Sequence, residues 1–337
     1  MAPSGKQHVV HVTSTDAKDD FSHLSVVEAD IPTPGEGEVL VNVYLRPVNP
    51  TDVLQAAGTW GHTAPFIDGS EGVGKVEELG PGTTGRLSKG QRVVAADWGK
   101  ASWQQYIIIK EDDLVGVPDD VKDEDAATVL IGALTTMGML EQAAVPQGGW
   151  LLQAAAASSV GRQVILLAKS WGIKTINVVR SDNPEQHQEL KHLGADEIIN
   201  SSKEDLVARV KEITGGEGAY AALDPVAGIT TGQMASALRK GGSVYVYGFL
   251  SDVDIHVPVI AMYGGIKIDS FLIYTWLPDH GPEGARMKFE EAFKLFQSGV
   301  LRNAPGKRYP LTEVRAAMIE SVKPGRTSKQ PKVFLEG

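Results

Sequence analysis

The chain's 337 residues are 42% apolar and carry 42 acidic against 32 basic side chains, a net charge of −10 that argues against a nucleic-acid partner. It has no cysteine, which excludes disulfides, cysteine-ligated zinc and a thiol nucleophile. No apolar run approaches the roughly 18 residues of a membrane span, and the length allows two domains with a large core.

The first twenty residues lack the apolar stretch of a signal peptide, and Asp16, Asp19 and Asp20 argue against an intact mitochondrial transit peptide. The cytoplasm is the default location; a processed mitochondrial form would look the same. Residues 1 to about 120 read as β-rich. His8 to Val12 and Val39 to Tyr44 are strand-like, as are Gln91 to Ala95 and Tyr106 to Ile109. Turn signals recur at Pro32-Thr33-Pro34-Gly35, Gly80-Pro81-Gly82 and Lys89-Gly90. Short strands at this density suggest a compact barrel. Helical patterns begin near Glu124 and continue through Thr135 to Gln142.

From Trp150 the period changes. Trp150 to Gln153 reads as a buried strand, Ala154 to Gly161 as a small-residue turn, and Arg162 to Trp171 as a helix stopped by Gly172. Thr175 to Val179 is a second strand. This strand–turn–helix–strand unit suits a dinucleotide, whose pyrophosphate sits at a helix N-terminus approached through small residues. The G-x-G-x-x-G spacing falls on Ala156, Ser158 and Gly161, so only the third glycine is present. Alone, such a turn also fits any α/β domain. An NAD site places an acid about twenty residues on, for the ribose 2′-hydroxyl. Here Arg180 and Ser181 stand there, a cation and a hydroxyl suited to a 2′-phosphate, so NADPH is the expected cofactor. The plainer reading of Arg180 is a solvated strand-end charge.

Further strands are expected at 197–199, 220–224, 242–247 and 267–272, with helices over Pro184–Leu193, Glu204–Thr214 and Thr230–Leu238. Six strands with crossover helices make a doubly wound parallel sheet. Met287 to Ser298 reads as an amphipathic helix, and Lys332 to Leu335 as a strand returning to the first domain. The expected division is 1–125, 126–275 and a returning segment 276–337.

The chain resembles the medium-chain dehydrogenase/reductase superfamily over essentially its whole length. The motifs are Asn49-Pro50-Thr51-Asp52, Gly69-Ser70-Glu71-Gly72-Val73-Gly74, Gly90-Gln91-Arg92-Val93, the turn at 153–161 and Gly241-Gly242. The resemblance implies an α/β architecture: a GroES-like β-barrel domain plus a Rossmann doubly wound parallel six-stranded sheet. Zinc-dependent members carry Gly-His-Glu where this chain has Gly69-Ser70-Glu71. Ser70 removes the imidazole, so no catalytic metal is expected.

Within the zinc-free branch the chain is similar to mitochondrial-type 2-enoyl thioester reductases. That similarity rests on Gly58-Thr59-Trp60-Gly61, Thr175 to Arg180, Tyr247-Gly248, Trp276 to Glu283 and Ser328-Lys329-Gln330. It implies hydride transfer from NADPH to an activated C=C bond of a small-molecule or thioester substrate. It places the nicotinamide near Asn49, Thr135, Gly248 and Phe249, with Phe271 to Ile273 on the same side. Ser158, Val160 and Gly161 would face the pyrophosphate, and Lys329 the cleft. Asn49, Trp60 and Trp276 are the candidate catalytic residues.

One departure matters. The enoyl thioester reductases carry tyrosine in the Gly-Thr-Tyr-Gly motif; here the residue is Trp60. An indole N–H donates a hydrogen bond but is far too weak an acid to deliver a proton. Protonation would then fall to water, His62 or Tyr274, or Trp60 is only a wall. A quinone needs no positioned tyrosine, so NADPH:quinone oxidoreductase is the alternative reading. A third is an NADPH-binding protein without turnover. From Leu301 onward, eight Lys and Arg stand against Glu313, Glu320 and Glu336, a patch that suits an acyl carrier protein, coenzyme A phosphates or plain solvation. The superfamily resemblance implies a homodimer through the edge strand near 267–272, and such pairing would also bury otherwise exposed backbone groups.

Overall fold

The structure is a computed structural model that describes residues 5–16, 20–99, 101–251, 253–323 and 332–337. Strands and α-helices are numbered in chain order. Two compact units form: Met1–Ile131 with His280–Gly337, and Gly132–Asp279.

The first unit begins with β1 (Lys6–Val12), paired antiparallel with β2 (Leu24–Asp30) along its whole length. Next, β3 (Glu38–Pro47) is the longest strand of the unit and its organiser. After α1 (Pro50–Ala56) and the two-residue β4 (Phe66–Ile67) come β5 (Val73–Leu79), β6 (Arg92–Ala95), β7 (Tyr106–Lys110) and β8 (Leu114–Gly116). One edge of β3 carries β5, followed by β6 and β8. Its other edge is shared: Glu38 to Asn42 pair with β7, and Leu45 to Pro47 are left for another strand. Helix α2 (Asp123–Ala127) then leads into a π-helical turn, Val129–Leu134. Such turns are rare and cluster at functional sites.

The second unit starts with α3 (Thr135–Ala143). Its strands are β9 (Trp150–Gln153), β10 (Lys174–Val179), β11 (Glu197–Asn200), β12 (Ala219–Asp224), β13 (Leu238–Val246) and β14 (Lys267–Ser270). All pair in parallel, in the order β11-β10-β9-β12-β13-β14. This is the doubly wound order, with its switch point between β9 and β12. The helices between are α4 (Ser159–Ser170), α5 (Pro184–Leu193), α6 (Leu206–Ile213), α7 (Ile229–Ala237) and the short α8 (Val259–Tyr263); α9 (Ile273–Trp276) follows β14. Leu152, Ile176, Val178, Ile199, Ala222 and Val244 join Met234 and Ala235 in one buried cluster. Strands covered on both faces read as continuous apolar runs, which is why these were legible.

The chain then returns to the first unit. Helix α10 (Gly281–Gln297) starts six residues before the expected Met287, because Pro282 is tolerated in a helix's first turn. It buries Phe289, Ala292, Phe293 and Phe296, an i, i+3, i+4, i+7 stripe. Strand β15 (Lys307–Pro310), helix α11 (Val314–Val322) and β16 (Val333–Glu336) close the chain. Strand β16 takes the vacant edge of β3, with Phe334 opposite Pro47 and Glu336 opposite Leu45. Val333 and Leu335 pack with Val10, Val12, Leu24, Val48, Trp103 and Met318.

Candidate active site

In the first unit, the start of α1 meets the segment 68–72. The Asn49 backbone N–H donates to Asp52 Oδ2 at 2.7 Å, and the Ser70 N–H donates to Asp52 Oδ1 at 2.9 Å. The Asn49 amide then fixes the rest. Its Nδ2 donates to Ser70 Oγ at 3.1 Å and to Glu71 Oε1 at 3.0 Å, and its Oδ1 accepts from the Lys332 ammonium. Glu71 Oε2 accepts from the Ile131 N–H, inside the π-helical turn, at 2.9 Å. Asn49, Asp52, Ser70 and Glu71 are all buried. Gly69 has a φ of +105°, and a Cβ there would lie 2.3 Å from Trp103 Cδ1 and 2.5 Å from Ser102 Oγ, so glycine is required for this segment to lie against those side chains.

Burial raises the carboxyls. It pushes Glu71 up to about 7 and Asp52 up to about 6, against the N–H donors on each and the charge of Lys332. Burial, and then the charge of Asp52, push Asp68 well up. Among the described residues no group of three or more His, Cys, Asp or Glu is placed to hold a metal ion. Ser70, where zinc-dependent members present an imidazole, is instead tied to Asn49 and Asp52.

Trp60 lies in the turn after α1 and is 41% exposed. The turn is closed by Thr59 N–H to Leu54 O at 3.0 Å and Gly61 N–H to Gly58 O at 3.0 Å. The His62 ring sits 5.1 Å from that of Phe66, and its buried Nε2 has no partner among the described residues. Lys329 lies outside the described residues.

In the second unit, the 154–161 turn is tied to both neighbouring strands: Ala154 N–H donates to Leu223 O at 3.0 Å, and Ala156 N–H to Val178 O at 3.1 Å. Exposed Ser158 caps α4, its Oγ accepting from the Gly161 N–H at 3.1 Å. A Cβ on Gly161 would come within 2.8 Å of Ala155 O, Ala156 Cα and Ala156 O. The third glycine of the fingerprint is thus the indispensable one, because the helix start rests on the turn's own backbone. An open, capped helix N-terminus with no side chain between helix and strand fits a pyrophosphate. Half-buried Val160 is in the same first turn.

A buried polar chain beneath the turn was not anticipated. Gln153 Nε2 donates to Gly161 O at 3.0 Å and to Asn177 Oδ1 at 2.7 Å, and Asn177 Nδ2 donates to Thr175 Oγ1 at 2.9 Å. The signal was present: three polar side chains at buried positions of two largely apolar strands.

Arg180 is exposed at the end of β10, and Ser181 follows, its Oγ accepting from the Asn183 N–H at 3.1 Å and so keeping its own O–H to donate. Gly248 and Phe249 follow β13; a Cβ on Gly248 would lie 2.9 Å from Pro225 O. Phe271 and Ile273 are buried just beyond β14, which ends at Ser270 rather than at residue 272. Trp276 sits on α9 with its ring 5.9 Å from that of Phe271. Both rings press on α3, where a Cβ on Gly138 would meet Phe271 Cζ at 2.5 Å and Trp276 Cδ2 at 2.9 Å. Buried Thr135 opens that helix, and Tyr274 is half-buried on α9. The structure therefore groups Asn49 with Ser70 and Glu71 in one unit, and Thr135, Phe271, Ile273 and Trp276 in the other.

Two family models match. The Alcohol dehydrogenase GroES-like domain covers residues 35–119, and Zinc-binding dehydrogenase covers residues 159–298. The chain is 32% identical over 320 residues to a mitochondrial enoyl-[acyl-carrier-protein] reductase of Xenopus tropicalis, covering 91% of this chain and 90% of that one. Among solved structures it is similar to a quinone oxidoreductase of Pseudomonas syringae, with a TM-score of 0.87, 26% identity, and 98% and 100% of the two chains covered. It is also similar to a mycobacterial protein complexed with NADPH, with a TM-score of 0.86, 27% identity and the same coverage.

The raised carboxyls carry a pH dependence. A group whose folded value exceeds its unfolded one favours the folded state at low pH and loses that contribution as pH climbs through the folded value. For Glu71 the window runs from about 4.5, its ordinary value, to about 7. Glu71→Gln should lower stability overall, since an amide accepts only one of the two N–H donors. It should also flatten the fall between pH 5 and 7. Thermal unfolding of both proteins across that range checks this; parallel curves would contradict it.

Proposed function

The chain belongs to the zinc-independent medium-chain dehydrogenase/reductase superfamily, and from that premise we propose that it is an NADPH-dependent reductase of quinone-type acceptors. NADPH supplies the hydride when bound. The chain's own residues do the rest. Ser158, Val160 and Gly161 receive the pyrophosphate, and Arg180 and Ser181 the 2′-phosphate. Thr135, Gly248, Phe249, Phe271 and Ile273 line the nicotinamide. Asn49, buried and locked by Ser70 and Glu71, holds the Lys332 ammonium in place.

The observation that carries this reading is Trp60. Reducing a quinone takes a hydride and a proton and yields the hydroquinone and NADP⁺. The reduced oxygens are basic enough to be protonated by solvent, so no positioned acid is needed. Reducing an enoyl thioester requires a proton at the α-carbon, where a phenol would act and an indole cannot.

Reduction of a 2-enoyl thioester is the second reading, favoured by the extent of similarity to the amphibian reductase. The proposed carrier partner gains little from the tail's cations. Arg308 pairs with Glu124 and Glu336, and Lys307 and Lys323 pair with Glu320. Arg315 donates to the carbonyls of Leu24 and Ser22, and Lys332 to Asn49. Charges so engaged favour a small-molecule acceptor over an acidic carrier protein.

We also propose a homodimer through β14. Among the described residues that strand is paired on one side only, and next to it in sequence α8 exposes Val259, Ile260, Met262 and Tyr263. An unpaired edge beside exposed apolar side chains is stabilised by pairing with a second copy. Light scattering at micromolar concentration should give twice the chain mass; a monomer would contradict it.

A substrate panel tests the activity. NADPH oxidation should be faster with naphthoquinones than with crotonyl or longer enoyl thioesters. Trp60→Tyr should raise the thioester-to-quinone ratio, since general acid catalysis is worth about 10²–10⁴-fold where it operates and packing losses affect both substrates alike. Fast wild-type thioester turnover with a falling ratio in the variant would favour the second reading. No turnover with any acceptor would leave a binding protein.

A further inference from the structure

Strands β10 and β11 run side by side, Val179 opposite Asn200. The residues that follow them therefore share one rim. Ser201 N–H donates to Val179 O at 2.9 Å, and Ser202 Oγ to Arg180 O at 3.1 Å. Arg180, Asp182 and Lys203 stand exposed on this rim; the acids that follow, Glu204 and Asp205, are engaged by the Asn200 N–H and Arg209 and by the Ala208 N–H. Arg180 makes no side-chain hydrogen bond or ion pair among the described residues. Asp182 is engaged at both oxygens. Asn200 Nδ2 donates to Oδ1 at 3.0 Å, and the Lys203 ammonium pairs with Oδ2.

The placement of Asp182 is informative. It stands two residues beyond Arg180, within reach of the region where NAD enzymes keep the acid that accepts from the ribose 2′-hydroxyl. Left free, that carboxylate would accept a 2′-hydroxyl and repel a 2′-phosphate of nearly two negative charges. The Lys203–Asp182 pair is 61% and 62% exposed, and such a pair adds little to folding stability. Its consequence lies in the field on the rim. With Lys203, the trio Arg180, Asp182 and Lys203 carries one net positive charge; without it, Arg180 and Asp182 sum to zero.

We propose that Lys203 is a cofactor-specificity residue: it latches Asp182 away from the ribose and joins Arg180 in selecting a 2′-phosphate. The proposal rests on the reading of Arg180 as the residue that meets that phosphate. Lys203 therefore acts partly through Asp182, and two signatures separate this from a structural role. Lys203→Met should discriminate between cofactors, and Lys203→Arg should restore the discrimination.

The test is equilibrium binding of NADPH and NADH, followed by tryptophan fluorescence without any acceptor. The proteins are wild type, Lys203→Met, Lys203→Arg, Asp182→Asn and Arg180→Ala. Lys203→Met should weaken NADPH about 5–20-fold and leave NADH unchanged or tighter, as expected for loss of a charge-assisted partner. Lys203→Arg should keep the wild-type ratio. Asp182→Asn should hold or raise the NADPH preference, and adding Lys203→Met to it should then cost less than in wild type. If Lys203→Met weakens both cofactors equally, or neither, while Arg180→Ala still lowers the NADPH preference, the proposal falls and the reading of Arg180 stands. If neither variant changes the ratio, both fall. If Lys203→Met changes it and Arg180→Ala does not, Lys203 is the selecting cation and only the reading of Arg180 fails.

Discussion

The side-chain amide of Asn49 is where the first unit is held together chemically. Its two N–H bonds go to Ser70 and Glu71 and its carbonyl takes the Lys332 ammonium. Each partner comes from a different part of the chain, and each arrives for its own reason. Ser70 and Glu71 follow a glycine that alone can lie against Trp103. Lys332 arrives because β16 must fill the vacant half of β3's edge. The returning tail therefore serves both the sheet and the site: it satisfies backbone groups along β3 and delivers one cation to two buried carboxylates.

That arrangement also explains how a dehydrogenase scaffold can dispense with a metal. In zinc-dependent members a metal-binding histidine precedes the acid of the Gly-His-Glu motif. Here Ser70 precedes Glu71, and N–H donors from Asn49 and Ile131 and the nearby ammonium offset the carboxyl. Desolvation still dominates, which leaves Glu71 raised and makes the site sensitive to pH near neutrality. The Asn49 amide is fully engaged within this cluster, and an ammonium is a weaker electrophile than a metal ion. Acceptors already activated toward hydride are the ones such a site suits, and the proposed quinone substrates are of that kind.

The second unit was largely legible in the sequence, because its signals are local. Strands buried on both faces read as short apolar runs, and Pro184–Leu193 carries its own cap, Asn183, and its own stop, Gly194. The first unit was less so. Helix α11 and the Asn49 ring depend on contacts across long stretches of chain: Arg315 and Leu24 are 291 residues apart, Lys332 and Asn49 283. No periodicity reports such a pair. Asn49 was found through motif resemblance, while Asp52 and Lys332, which fix its orientation, were not singled out. The charged tail is a related case: its cations stand apart in sequence, and their acidic partners include Glu124, which composition cannot place beside Arg308.

Turnover in the absence of metal tests this account most directly. The protein should be dialysed against a strong chelator, assayed for zinc by elemental analysis, and measured with NADPH and its fastest acceptor. The hydrogen-bonded ring predicts full turnover at far below one zinc per chain, with none regained on adding zinc. Activity that disappears with the metal and returns in proportion to about one zinc per chain would contradict it.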